Sequence, residues 1–270
     1  MESTFTSLTP VIFVSHGGGP CFWIDWSPSN LFDGLRTFFE KLPETLSQRP
    51  SAIIVISAHW EESAFKIQSC QSPKMIFDYY GFPEHTYRLN YPTPGSPELA
   101  QQVADLFKAH SIDYELDFDR GFDHGVYVPL LISYPKADIP VLQISLRSDL
   151  SPTAHFEVGI ALAELRKKNV LIVGSGFSYH NLSAIPDTHG VSQEFDRWLY
   201  EAVVLSTPLE RSQKLKFWES APKARKAHPR EEHLIPLLVC AGAAQSDLCQ
   251  RTFSENLTGW NVQTSCFKFG

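Results

Sequence analysis

The sequence predicts an α/β fold in one domain, with a mostly parallel or mixed central sheet flanked by helices. Three observations predict it. Short β-branched apolar runs recur along the chain, helical periodicity alternates with them, and no linker, repeat or low-complexity segment breaks the alternation. By length, 270 residues suit one or two domains, and the unbroken alternation favours one spanning 1–270. Hydrophobic residues at 43% and charged residues at 20% supply a large core and exclude a disordered chain.

Residues 10–16 read as a buried strand that breaks at His16 into Gly17, Gly18, Gly19 and Pro20. Residues 29–42 carry Leu31, Leu35, Phe38, Phe39 and Leu42 at helical spacing, and 51–57 read as a second buried strand ending at Ala58, His59 and Trp60. Residues 65–70 alternate like a strand, whereas 72–97 are rich in Pro and Tyr with no period, the mark of a functional or lid-like segment. A helix over 98–110, a strand over 112–118 and a turn over 121–125 lead into the apolar run 126–134. A strand over 140–145, a helix over 153–168 and a buried strand over 169–174 follow, and the chain then leaves the sheet through a glycine loop to His180. Helical periods return over 191–205 and 231–244, with Pro229 tolerated near the second start and His233 in its opening turn.

A net charge of −7 argues against a phosphate-binding surface, so nucleic acid is not an expected partner. No apolar stretch approaches the roughly 20 residues of a membrane span, and the N-terminus lacks a signal core, which predicts a cytoplasmic protein. Five cysteines without a CxxC pair predict reduced, mostly buried thiols. The triple glycine lacks nucleotide-loop spacing, and Gly174, Ser175 and Gly176 miss the nucleophile-elbow order.

Ten histidines carry the functional signal. His16, His59 and His180 each follow a predicted strand, and open α/β sheets bind ligands beyond the carboxyl ends of their strands. Each alone reads as a hydrogen-bonded structural histidine. Together with His124 and His233 they predict an imidazole-rich site suited to Fe(II), Zn, Cu or Ni rather than Mg or Ca. Neutral ligands leave such a site net positive, favouring an anionic oxygen ligand such as a catecholate. Asp123 is placed to orient His124 or simply to make a turn, and Tyr79, Tyr80, Phe82 and Tyr87 line a ring pocket or pack ordinarily.

Six segments in order carry a resemblance: Ser-His-Gly-Gly at 15–18, Ile-Ser-Ala-His-Trp at 56–60, Asp-Tyr-Tyr-Gly-Phe-Pro at 78–83, Asp-His-Gly at 123–125, Gly-Ser-Gly at 174–176 with His-Asn-Leu at 180–182, and Ala-His-Pro at 227–229 with Glu-His at 232–233. The sequence resembles, over nearly its whole length, the class III extradiol ring-cleavage dioxygenases of the LigB-like superfamily, most closely their 4,5-DOPA dioxygenase branch. The resemblance implies metal ligands at His16, His59 and His233, with His180 as a fourth ligand or as the acid/base. It implies a second-sphere, oxygen-stabilising catalytic role for His124. Glu231 or Glu232 stands as an alternative third ligand, because related enzymes often use two histidines and a carboxylate. The resemblance further implies Fe(II) for activity, Zn(II) in purified protein, and a DOPA-like catechol and O2 as partners. A zinc-dependent hydrolase and a non-catalytic metal-binding member of the superfamily are the alternatives. His-Gly-Gly-Gly-Pro at 16–20 departs from the branch's more usual His-Gly-Ser-Pro, which bears on substrate detail.

Overall fold

The central strand β1, Val11–Ser15, is wholly buried, as its β-branched apolar run requires. The computed structural model describes residues 8–270. Much of the N-terminal stretch read as lacking a signal core lies outside them. After β1 come α1 (Asp33–Lys41), β2 (Ala52–Glu62), β3 (Phe65–Gln68), α2 (Pro97–Ala109), β4 (Tyr114–Asp117), α3 (His124–Ser133), β5 (Val141–Arg147) and α4 (Pro152–Leu162). Then follow β6 (Val170–Gly176), α5 (Val191–Tyr200), α6 (Pro208–Lys216), α7 (Ala224–Ala227), α8 (Ile235–Ala244), β7 (Cys249–Leu257) and β8 (Val262–Phe269). The eight strands form one mixed sheet in the order β4-β3-β5-β2-β6-β1-β8-β7. Its centre, β5-β2-β6-β1, is parallel, while β8 pairs antiparallel with β1 and β7.

Side chains alternate across β6. Leu171 and Val173 share a packed space with Gly125 and Val126 of α3, whereas Gly174 and Gly176 face α8 and the turn before it. A Cβ on Gly174 would lie 2.5 Å from the Pro236 carbonyl oxygen, and one on Gly176 would lie 2.1 Å from that of His233. Only glycine admits that approach, so the small residues of 174–176 bring the His233 turn onto the sheet.

The structure moves several expected boundaries. Gly174 and Gly176 belong to β6 rather than to a loop beyond it. β2 runs on through His59 to Glu62, with a register shift between Ile56 and Glu61, so His59 lies inside the strand. His124 opens α3 instead of sitting in a turn, and the apolar run after it is helical and buried on nearly all sides. The last helix begins at Ile235, with Pro236 rather than Pro229 in its first turn, and His233 occupies the preceding turn, where Glu231 O accepts from the Leu234 and Ile235 amides. The helical period over 191–205 splits into α5 and a wide turn at Glu201–Leu205. The segment 72–97 forms an isolated bridge from Met75 to Phe122 and a short 3-10 turn, Glu84–Arg88, before the first residue of α2.

Two buried histidines outside the cleft make the fold acid-sensitive. In α4, His155 Nδ1 donates to the Ser151 carbonyl at 2.7 Å and Nε2 accepts the Arg147 amide at 3.1 Å. His228 Nε2 donates to the Ser178 carbonyl at 3.1 Å. Burial lowers each pKa from 6.5 to about 4. The unfolded chain therefore binds more protons than the folded one as pH falls from 6.5 to about 4, and stability is lost across that window. The loss is of order 3 kcal/mol per histidine. Denaturant midpoints of metal-free protein are expected to fall steadily across the window, with His155→Gln flattening the slope; a midpoint independent of pH would contradict this.

Candidate metal centre

Three parallel strands deliver the site to one edge of the sheet. His16 follows β1, and its amide donates to the Gly176 carbonyl at 2.9 Å. His59 stands at the β2 register shift. His233 is held against the end of β6 by the Phe177 amide, which donates to its carbonyl at 3.0 Å. His180 lies on the loop after β6, its amide donating to the Ala227 carbonyl at 3.0 Å.

The structure brings all five predicted histidines together. His59 Nε2 lies 3.1 Å from His16 Nε2 and 3.3 Å from His233 Nε2. Ligand atoms of His16, His59 and His124 fall within 4.8 Å of one another, as do those of His180, Glu232 and His233. His180 stacks on His233 with ring centroids 3.4 Å apart, and His124 lies beside His59 at 3.9 Å.

The opposite ring edges are committed. His16 Nδ1 lies 2.9 Å from Ser175 Oγ, whose own proton goes to the Gly125 carbonyl, so the imidazole is the donor. Glu232 Oε1 accepts from both His233 Nδ1 and His180 Nδ1, each at 2.9 Å. Asp78 Oδ2 accepts from His124 Nδ1 at 2.9 Å and faces His59 Nδ1 at 3.5 Å. With protons on Nδ1, the Nε2 atoms of His16, His59 and His233 present bare lone pairs to one another. Burial, and then neighbouring imidazoles, hold the pKa values of all three well below the ordinary histidine range, so they remain neutral.

Lone pairs at such spacing repel unless a cation lies among them. Nitrogen ligands at 2.0–2.1 Å from one divalent ion stand roughly 3.0–3.4 Å apart, and the observed spacings match. The donor set therefore fits a borderline divalent metal, with two carboxylates and a serine orienting the imidazoles.

Glu231 pairs with Arg225 outside the cluster, and Glu232 backs His180 and His233 through their Nδ1 atoms. Asp123 is not the partner of His124. Buried beneath the site, it accepts from Ser57, Gln143 and Arg120, and Asp78 takes the orienting role instead. Burial raises the Asp123 pKa, whereas hydrogen bonds from His180 and His124 keep Glu232 and Asp78 below the usual carboxylate range despite burial. Sequence reading missed the roles of Asp78 and Ser175, although both lie in quoted segments. Glu232→Gln is expected to weaken metal retention about 10–100-fold in a chelator competition, because the carboxylate charge shared by two imidazole Nδ1 protons is replaced by a neutral amide; unchanged affinity would contradict that arrangement.

A cleft of about 440 Å³ opens over the histidines. Tyr79 and Phe82 line it as expected, but Tyr80 is 92% exposed, and Tyr87 packs behind Tyr79 with ring centroids 5.3 Å apart. Trp26 and Trp260, which the sequence did not single out, complete the wall.

Residues 9–264 match the family described as the catalytic LigB subunit of aromatic ring-opening dioxygenase. The chain is 39% identical to the dioxygenase tasH of Hapsidospora irregularis, over 97% of this chain and 86% of that protein. It is 37% identical to the 4,5-DOPA dioxygenase extradiol of Beta vulgaris, over 97% of each. Among solved structures, the uncharacterized protein JW3007 from Escherichia coli K12 superposes with a TM-score of 0.75 at 27% identity, over 97% of this chain and 100% of that one.

Proposed function

The chain belongs to the LigB family of aromatic ring-opening dioxygenases and is an extradiol ring-cleavage enzyme, and we propose that it opens a catechol with O2 using divalent iron held by His16, His59 and His233. The observation that carries the ligand assignment is that His59 Nε2 stands within 3.3 Å of the Nε2 atoms of both His16 and His233. Iron bound there supplies the redox capacity that the reaction of O2 with the ring needs and that zinc lacks.

The chain's own residues do the rest. His180, stacked on His233 with Nδ1 on Glu232, accepts a ring-hydroxyl proton at Nε2, and the Glu232 carboxylate stabilises the resulting imidazolium. This reading makes His180 the acid/base rather than a fourth ligand. His124, oriented by Asp78, presents a second proton-exchanging nitrogen beside His59. Aromatic walls hold the ring flat and keep water away. The relatives named 4,5-DOPA dioxygenase extradiol support a DOPA-like 3,4-dihydroxyphenyl ring in the substrate.

Residues 1–270 act as one catalytic domain in this reading, and the family match over 9–264 supports it. No described helix is long and apolar enough to cross a membrane. Five unpaired cysteines, four of them buried, support a reducing, cytoplasmic setting. A net charge of −7 supports a small-molecule rather than a nucleic-acid partner.

Metal-free protein loaded anaerobically with Fe(II), then given O2 and a panel of catechols, is expected to consume one O2 per ring opened and form a yellow product. The zinc-loaded protein should do neither. Absence of oxygen uptake with every catechol would overturn the proposal.

A further inference from the structure

We propose, building on the ring-opening reading above, that this cleft prefers a catechol whose ring substituent is uncharged and apolar, an alkyl, alkenyl or aryl group, over one bearing a zwitterionic amino-acid side chain. Beyond the histidines, the walls are Trp26, Phe82, Leu182, Ile185, Trp260 and Val262, together with neighbouring aromatic rings and the glycine turn. Among the described residues lining it there is no Lys, Arg, Asp or Glu.

The charged groups nearby are already committed. Asp78 and Glu232 bind the Nδ1 edges of four histidines. Arg120 is tied to Asp123 at 3.0 Å and to the His59 carbonyl at 3.2 Å, and Arg230 is paired with Glu61. Polar atoms on two of the walls point elsewhere, Trp26 Nε1 donating to the Cys21 carbonyl and Tyr79 Oη to the Thr86 carbonyl, each at 2.7 Å, while the buried Tyr179 hydroxyl, uncharged, is left without a partner. A carboxylate and an ammonium entering this space would leave water without an oppositely charged partner, whereas an apolar substituent would bury surface against indole and phenyl rings. Leu182 is 63% exposed, so the apolar wall continues outward past the cleft and accommodates a substituent that reaches its mouth.

Calorimetric titration of zinc-loaded protein without O2 reads substituent recognition apart from turnover. 4-Butylcatechol is expected to bind about 10–100-fold more tightly than L-DOPA, with unsubstituted catechol between them. The iron-loaded enzyme should show the same order in kcat/KM. Leu182→Arg, a change at an exposed position, should shift the affinity ratio at least about tenfold toward DOPA by offering its carboxylate a partner. L-DOPA binding as tightly as 4-butylcatechol, or a ratio unmoved in Leu182→Arg, would overturn the inference while ring opening stands. Failure of all three catechols to bind zinc-loaded protein and to be opened by iron-loaded protein would overturn both.

Discussion

His59→Ala is expected to yield a folded chain that retains no stoichiometric metal and opens no catechol. His59 Nε2 is the atom that meets both His16 Nε2 and His233 Nε2, so its removal takes the middle donor from the set. Loss of a direct ligand should exceed the roughly 10–100-fold weakening that follows loss of an orienting partner. The ring is only partly buried at the cleft, so the fold should survive its truncation. Metal that binds the native state raises thermal stability by mass action, by about 4 kcal/mol at a thousandfold excess over Kd. Added zinc should therefore raise the melting temperature of the parent protein and leave that of His59→Ala unmoved. Elemental analysis after gel filtration supplies the second reading. A variant that keeps one metal per chain would show that His59 is not a ligand.

His124→Ala is expected to separate chemistry from metal binding. Its ring lies beside His59, yet its Nδ1 is spent on Asp78, and its removal leaves the three converging nitrogens in place. Metal content should match the parent protein while kcat falls about 10²–10⁴-fold, the range for loss of a proton-exchanging group. Metal loss comparable to that of His59→Ala would place His124 among the ligands instead. Undiminished kcat would remove it from the reaction.

The strands that carry His16 and His180 were legible because buried parallel strands read as continuous β-branched runs that end in glycine. The position of His59 inside β2 was not, because a register shift has no sequence mark. The run after Gly125 left helix and strand equally open, since a helix buried all round shows no amphipathic period. The β7 and β8 hairpin went unread although a four-residue turn, 258–261, with Gly259 in it separates the two strand runs. α6 was likewise missed despite the capping box formed by Thr207 and Glu210.

At the site, the histidines were visible as residue types, whereas their partners depend on three-dimensional folding. Asp123 adjoins His124 in sequence, but successive side chains at a helix start diverge by about 100°. One therefore faces the buried Ser57, Gln143 and Arg120 while the other faces the cleft and Asp78. Asp78 comes from an aperiodic loop 46 residues away, which no spacing rule connects to His124. Glu232 was visible beside His233, but its second contact, His180 Nδ1 at 2.9 Å, was not.

X-ray absorption at the iron edge, on protein titrated anaerobically with Fe(II), interrogates the converging nitrogens directly. One iron per chain is predicted, with at least three imidazole nitrogens in its coordination shell and no sulfur. Binding that never reaches one equivalent, or a shell dominated by oxygen or sulfur, would contradict the assignment of His16, His59 and His233.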